Sequence, residues 1–308
     1  MQTRKVGSLD VSVVGLGTNN FGMRMDEKSS TDVVLACLDN GINLFDTADV
    51  YGGTKSEEFL GRALGNRRDE AIITTKFGSK LDDERVGAKP AYVRRAAEDS
   101  LQRLGTDRIE LFLLHRPDPE TPIADTLGAL NELVLEGKVL EIGCSNFTKE
   151  QLQEAKAATA PGAARFVNLQ NQYSLLEREI EDEVLAECAA EDITVIPYFP
   201  LASGLLTGKY RRNEAPPEGT RLFAMETMRE RVMKDRNFDI VEALEKYVDS
   251  RNHSLLEAAI SWLLYQPGVV SVIAGATNVD QVKSNAQAAS WSMSPEEVAE
   301  ISAIAARD

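Results

Sequence analysis

Four residues in the first half of the chain carry side chains that could share one reaction. Asp46 and Tyr51 stand five positions apart in FDTADVYG, Lys76 closes IITTK and His115 closes LFLLH. A carboxylate, a phenol, an ammonium and an imidazole make an acid–base set. The carboxylate holds the ammonium charged and oriented, and the ammonium favours the ionised form of a neighbouring phenol whose ordinary pKa is about 10. A neutral imidazole beside them can hydrogen-bond a substrate oxygen. Such a set suits the protonation of an alkoxide as it forms on a carbonyl carbon. It holds no strong nucleophile. The chain has no HExxH, no cluster with metal-ligand spacing and no G-x-S-x-G elbow, so no metal site is expected and metal-assisted or acyl-enzyme hydrolysis is disfavoured.

For these groups to meet, one scaffold must present several strand ends together. Short apolar runs recur along the chain: VVGLGT, INLFDTA, AIITTKF, IELFLLH, LEIGCSN, FVNLQNQ, TVIPYFPL and VVSVIAGAT, with helical patterns such as SEEFLGRAL and AYVRRAAEDSLQRLG between them. Their apolarity is continuous rather than alternating, which suits parallel strands covered on both faces. Eight βα units in 308 residues predict a single-domain (β/α)8 barrel over residues 1–308, with its site at the carboxyl ends of the strands. The competing doubly wound sheet places a G-x-G-x-x-G loop after its first strand, and GLGTNNFG lacks that spacing. RKVGSLDVSVVG reads as an N-terminal hairpin with a Gly-Ser turn capping one end of the barrel. Residues 205–235 form a long, Pro- and Arg-punctuated loop after the seventh strand, read as a functional insertion; Arg211, Arg212 and Arg221 are candidate phosphate partners, with a plain solvated loop as the equal alternative.

The net charge of -15 argues against nucleic acid or an anionic membrane as partner. No apolar run approaches the roughly 20 residues of a spanning helix, and MQTRKVGSLD lacks the apolar core of a secretory signal, so a cytoplasmic protein is expected. Cys37, Cys144 and Cys188 read as reduced thiols, with Cys144 of interest beside a polar strand end. Of the two histidines, His253 has the setting of a helix N-terminus and receives no role.

The remaining strand ends bear groups fit for a cofactor, although each also fits an ordinary capping role. Ser145 and Asn146 in GCSNF and Gln170 in LQNQYS suit a carboxamide, and Tyr198 offers a ring for stacking on a heteroaromatic. After AGAT, the N–H groups of a helix starting near Asn278 could receive a phosphate.

FDTADVYG with SEEFLGRAL, TTKFG, LLHRPD, GCSNF, VIPYFPLASGLLTGKY and IAGATNVDQVKSNAQA, in this order, resembles the aldo-keto reductase family over nearly the whole chain. The resemblance implies a (β/α)8 barrel that binds NADP(H), with NAD(H) as the alternative, without a Rossmann domain. It also implies an Asp–Tyr–Lys–His tetrad on Asp46, Tyr51, Lys76 and His115, with Tyr51 as proton donor. By the same resemblance Ser145, Asn146 and Gln170 hold the nicotinamide amide and Tyr198 stacks on its ring. Leu201, Ser203 and Lys209 flank the pyrophosphate, and Gly275, Ala276, Thr277, Gln281 and Asn285 surround the adenosine phosphate. Asn19 and Val50 border the pocket for a small-molecule carbonyl substrate.

Two departures stand out. NADPH-preferring relatives commonly carry Lys or Arg where this chain has Gly275, Asn278 or Gln281, which leaves a 2'-phosphate to Lys283, a loop residue or helix N–H groups. Asn19, in a place where many relatives carry an aromatic, predicts a wetter pocket suited to small or polar aldehydes. A nucleotide-sensing barrel with little turnover and a Schiff-base aldolase using Lys76 are the competing functions. Oligomeric state is left open by the sequence.

Overall fold

The computed structural model describes residues 1–306. A two-stranded antiparallel hairpin, β1 (Thr3–Val6) and β2 (Leu9–Ser12), precedes eight parallel strands: β3 (Val14–Gly17), β4 (Leu44–Asp46), β5 (Ile72–Phe77), β6 (Ile109–Leu114), β7 (Val139–Ser145), β8 (Phe166–Gln170), β9 (Thr194–Val195) and β10 (Val272–Gly275). The sheet order is β10-β3-β4-β5-β6-β7-β8-β9. Its two edges meet: the Val195 N–H donates to the Gly268 carbonyl at 2.8 Å, and the Val195 carbonyl accepts the Val270 N–H at 3.0 Å. The result is a (β/α)8 barrel. Around it run α1 (Glu27–Asp39), α2 (Lys55–Leu64), α3 (Pro90–Leu104), α4 (Ile123–Leu135), α5 (Lys149–Ala158) and α6 (Val184–Ala190). The chain after β9 adds α7 (Arg221–Ala224), α8 (Glu226–Val232), α9 (Asp235–Asp249) and α10 (Leu255–Leu264), and α11 (Val279–Ala288) and α12 (Pro295–Ile304) follow β10.

All eight anticipated strands form, and the continuous apolar runs have the cause proposed for them. On β6, Leu111 and Leu113 face the barrel interior, while Phe112 and Leu114 pack outward under the helices. The same alternation puts Leu44 and Ile72 on the inner side and Phe45, Ile73 and Phe77 on the outer. Counting by twos along the strands, Asp46 follows Leu44, Lys76 follows Ile72 and His115 follows Leu113, so all three are inward positions at the carboxyl ends. The hairpin turns at Gly7 and Ser8, with Gly7 at φ 54°, and Val6, Leu9 and Val11 fill the opposite end of the barrel against Leu44, Leu111, Leu113 and Val167.

Two segments differ from the sequence reading. TVIPYFPL pairs as a strand only over Thr194–Val195, because Pro197 has no N–H for the ladder, although an isolated bridge still ties Tyr198 to Gln172. The long loop after the seventh strand contains a 3₁₀ turn over Ala202–Thr207 and the short helices α7 and α8. Among the described residues no helix is long and apolar enough to cross a membrane.

The helical layer is close enough that one glycine is required sterically. A Cβ on Gly61 would lie 2.2 Å from the Leu104 carbonyl oxygen where α2 meets the end of α3. Gly61→Ala should therefore destabilise the fold by about 1–3 kcal/mol in denaturant titrations, as overpacking does. A shift within experimental error would show that α2 and α3 can part without cost.

Candidate active site

The inward positions at the ends of β4, β5 and β6 bring their side chains together. Lys76 is 0% exposed, and its Nζ donates to Asp46 Oδ1 at 2.8 Å, to the Thr47 carbonyl at 2.8 Å and to the Tyr51 hydroxyl at 3.4 Å. The second oxygen of Asp46 accepts from Gln170 Nε2 at 2.7 Å, which couples the carboxylate across the barrel to β8. Tyr51 and His115 meet edge to face with ring centroids 5.9 Å apart. Tyr51 is held by a turn at Gly52, whose φ is 60° and where a Cβ would lie 2.2 Å from the Phe21 carbonyl oxygen, so only glycine lets the two loops approach.

The electrostatics assign a protonation state to each group. Burial is the largest influence on the Lys76 ammonium and disfavours its charge, but Asp46 and Tyr51 outweigh it and hold the pKa above the ordinary lysine value. For Tyr51 the outcome differs from the sequence reading. Lys76 does pull the phenol's pKa down, yet burial is stronger and the net direction is upward, so Tyr51 is a neutral O–H donor at neutral pH. Burial, with Lys76 and Arg116 adding to it, pushes the His115 imidazole down to about 3. His115 is therefore neutral, and its Nδ1 has no hydrogen-bond partner among the described residues.

These groups open on a cleft of about 620 Å³ at the carboxyl end of the barrel. Asp46, Tyr51 and His115 line it together with Ser145, Asn146, Gln170, Tyr198, Leu201, Ser203, Lys209, Gly275, Thr277, Gln281 and Asn285. Its walls are cross-braced: Tyr198 O–H donates to Asn146 Oδ1 at 2.8 Å, Asn146 Nδ2 donates to the His115 carbonyl at 3.0 Å, and Ser145 O–H donates to the Gln170 carbonyl at 2.7 Å. Asn146, Phe199, Ala202 and Ser203 all hold positive φ along this rim, a concentration of backbone strain of the kind that marks functional sites. At one end of the cleft Lys209 is crowded by Arg24 and Arg221; burial and these two cations depress its pKa. None of the three forms an ion pair with a carboxylate among the described residues. Such a cluster fits the diphosphate of a dinucleotide, while the Tyr198 ring and the Ser145, Asn146 and Gln170 polar groups fit its nicotinamide end.

Several anticipated residues lie elsewhere. Val50 does not border the cleft, and Ala276 is buried beneath it, packed in the outer core. Arg211 pairs with Glu245, and Arg212 with Asp235, Asp239 and Glu242 on α9, so of the three insertion arginines only Arg221 reaches the cleft. Lys283 is exposed outside it. At the start of α11, Asn278 Oδ1 accepts the Gln281 N–H and Gln281 Oε1 accepts the Thr277 N–H, so two of the N–H groups offered for a phosphate already have partners. Asn19 does line the cleft, but its Oδ1 accepts from Arg221 at 2.6 Å. Arg24, Arg116, Gln172 and Arg231, which the sequence reading missed, also line it. Only Arg116 had a signal, its place next to His115. Cys37, Cys144 and Cys188 are buried free thiols whose pKa burial raises, so Cys144 is inert. His253 stacks on Trp291 at 3.8 Å, away from the cleft.

The architecture is that of the (β/α)8 barrels, whose ligands bind at the carboxyl ends of the strands. A model of the Aldo/keto reductase family matches residues 13–306. The chain is 34% identical over 305 residues to the aldo-keto reductase YhdN of Bacillus subtilis (strain 168), covering 96% of this chain and 90% of that protein. It is 33% identical over 297 residues to the uncharacterized oxidoreductase YqkF of the same organism, covering 94% and 91%. It is also 32% identical over 307 residues to a probable voltage-gated potassium channel subunit beta of Arabidopsis thaliana, covering 94% and 91%. The chain belongs to the aldo/keto reductase family, oxidoreductases that act on small carbonyl compounds and generally use a nicotinamide cofactor.

Behind the site, Asp49 is 1% exposed, and its Oδ1 has no partner among the described residues. Its Oδ2 lies 3.4 Å from the Tyr92 hydroxyl, and the nearby Glu57 is held by Arg103 at 2.6 Å. Burial, reinforced by Glu57, raises the Asp49 pKa to about 7. A raised carboxyl pKa costs stability as pH climbs from the unfolded value through the folded one, here across pH 4 to 7, by about 4 kcal/mol in full. Asp49→Asn should thus raise the melting temperature, and by more at pH 8 than at pH 5; a gain independent of pH would refute the buried-acid assignment. The depressed His115 pKa is read separately by NMR. With only two histidines in the chain, the His115 imidazole should show no titration between pH 5 and 8.

Proposed function

We propose that this protein reduces the carbonyl of a small aldehyde or ketone with NADPH, and that Tyr51 donates the proton. The observation that carries the reading is the Lys76 ammonium held between Asp46 and the Tyr51 hydroxyl. When bound, the cofactor supplies the hydride. The protein's part begins with His115, which as a neutral imidazole can hydrogen-bond the substrate oxygen and orient it toward Tyr51 without competing as an acid. Tyr51 keeps its proton until negative charge develops on that oxygen. As the proton leaves, the phenolate is stabilised by Lys76, whose own charge is anchored by Asp46 and, through Asp46, by Gln170. The same set run backwards would accept a proton from an alcohol. Ser145, Asn146 and Gln170 are assigned to the carboxamide, and Tyr198 to the nicotinamide ring. With Lys209 and Arg24 assigned to the diphosphate that both cofactors share, the preference for NADPH rests on Arg221, a cation at the cleft offered to the 2'-phosphate in place of the basic residues absent at Gly275, Asn278 and Gln281.

Tyr51→Phe should lose at least a hundredfold in kcat for NADPH oxidation with a reactive aromatic aldehyde while still quenching or shifting cofactor fluorescence. Equal slow turnover in both proteins would instead favour a nucleotide-sensing barrel, a role that the channel-subunit name of one relative brings to mind. Arg221→Ala should raise the KM for NADPH by about 10- to 100-fold, the loss of hydrogen bonds to a charged group, and the KM for NADH by less. An equal rise for both cofactors would assign Arg221 to the diphosphate rather than to the 2'-phosphate.

A further inference from the structure

The chain carries 49 acidic against 34 basic residues, and most of its arginines are paired with carboxylates. Six described arginines are not. Arg4 and Arg236 donate to backbone carbonyls instead. The other four, Arg24, Arg116, Arg221 and Arg231, all line the cleft. Among the described residues the only carboxylate in the cleft wall is Asp46, which is already committed to Lys76 and Gln170. In a chain this acidic, a mouth with four arginines and no free carboxylate is a local reversal of sign. Unpaired guanidinium groups beside a cavity are waiting for an anion that the protein itself does not provide.

The four divide into two groups. Arg24 and Arg221 act on Lys209 and on each other, at the end of the cleft assigned above to the cofactor phosphates. Arg116 is next to His115 in the cleft wall, and Arg231 bonds Gln172, whose backbone bridges to Tyr198, so both belong to the end where the carbonyl would react; they and the carboxylate of Glu177 all act on Tyr198 there. They come from different elements: Arg116 directly follows His115 beyond β6, and Arg231 projects from α8, where it donates to Gln172 Oε1 at 2.7 Å. Arg116 has no hydrogen-bond partner among the described residues, and it is an exposed residue at the cleft wall, so its donors are open to a ligand there. A dinucleotide whose diphosphate lies at the Lys209 end leaves both of these guanidiniums unneutralised.

We propose that Arg116 and Arg231 form an anion subsite beside Tyr51 and His115, and that the natural carbonyl substrate carries a carboxylate or phosphate group bound there. This rests on the reading of Tyr51 as the proton donor to a reduced carbonyl. It makes the substrate class narrower than a small polar aldehyde. A neutral aldehyde would gain nothing from the two arginines, whereas an anionic one would gain charge-assisted hydrogen bonds worth about 10- to 100-fold in kcat/KM. The local positive field also offsets, close to the mouth, the repulsion that a chain of net charge -15 exerts on an approaching anion.

The test compares two aldehydes of one shape, 4-carboxybenzaldehyde and methyl 4-formylbenzoate, with saturating NADPH. The wild-type protein should prefer the acid over the ester by tenfold or more in kcat/KM, chiefly through KM, and the preference should shrink as salt is raised. In Arg116→Gln, in Arg231→Gln and most of all in the double variant, the acid-over-ester ratio should fall by about tenfold. A ratio is independent of how much of each variant is correctly folded. The parallel pair of glyceraldehyde 3-phosphate and glyceraldehyde decides between the two anions: an arginine-dependent preference in either pair supports the subsite, and the stronger pair names the group. Wild-type ratios near one in both pairs, or ratios that survive both substitutions, would overturn it. Failure of the wild-type protein to reduce any of the four aldehydes would remove the reduction reading itself, and the subsite with it.

Discussion

The site depends on one buried cation. Lys76 has no exposed surface, and an ammonium in that position is tolerated only because Asp46, the Thr47 carbonyl and the Tyr51 hydroxyl take up its donors. The dependence runs both ways. Asp46 is itself buried and would be costly without Lys76, and its second oxygen is satisfied by Gln170 from the far side of the barrel. Removing any one of the three leaves an uncompensated charge or an orphaned polar group, so their geometry is over-determined. That rigidity is what a phenol needs if it is to keep its proton through substrate binding and release it only when charge appears beside it.

The barrel makes this arrangement possible by simple arithmetic. Side chains alternate in and out along each strand, and the inward apolar residues Leu44, Ile72 and Leu113 set the parity for Asp46, Lys76 and His115. The N-terminal hairpin fills the other end, so the interior passes from packed aliphatic side chains at the start of the strands to polar ones at their ends. Closure through Val195 completes the circle with only two residues of β9 in register, since Pro197 ends its pairing. The early exit of the chain there has a use: it frees Tyr198, Phe199 and the strained turn through Ser203 to form one wall of the cleft.

Most of this was legible in the sequence for a stated reason. Runs such as IITTKF and IELFLL are apolar on both faces and end in a charged or polar residue, and that pattern yields both the strand and its role. What the sequence could not convey was distance and burial. Lys76 was expected to lower the Tyr51 pKa, but only the structure reveals that burial outweighs it. Arg211, Arg212 and Arg221 looked equivalent in one loop. Carboxylates of α9 claim the first two, Glu245 taking Arg211 and Asp235, Asp239 and Glu242 taking Arg212, and no local pattern announces that pairing. Arg24 and Arg231 carry no motif at all; they matter because the folded insertion and the loop after β3 bring them to the same mouth.

Charge placement therefore has two scales in this molecule. At long range the chain is strongly acidic, and the outer helical layer meets that excess with ion pairs that consume most of its arginines. At the cleft the ledger is reversed, with cations left unpaired around a neutral histidine and a protonated phenol. Neither His115 nor Tyr51 adds charge there at neutral pH, so the field at the reacting end is set by Lys76, screened by Asp46, and by the arginines at the rim. A rim cation stabilises an anionic group that is present in ground state and transition state alike, and so acts on binding. In the proposed reaction Lys76 would stabilise a phenolate that exists only as the proton leaves, and so would act on the barrier. On this proposal recognition and chemistry fall to separate cations, so that changing a rim arginine would leave the buried Lys76 undisturbed.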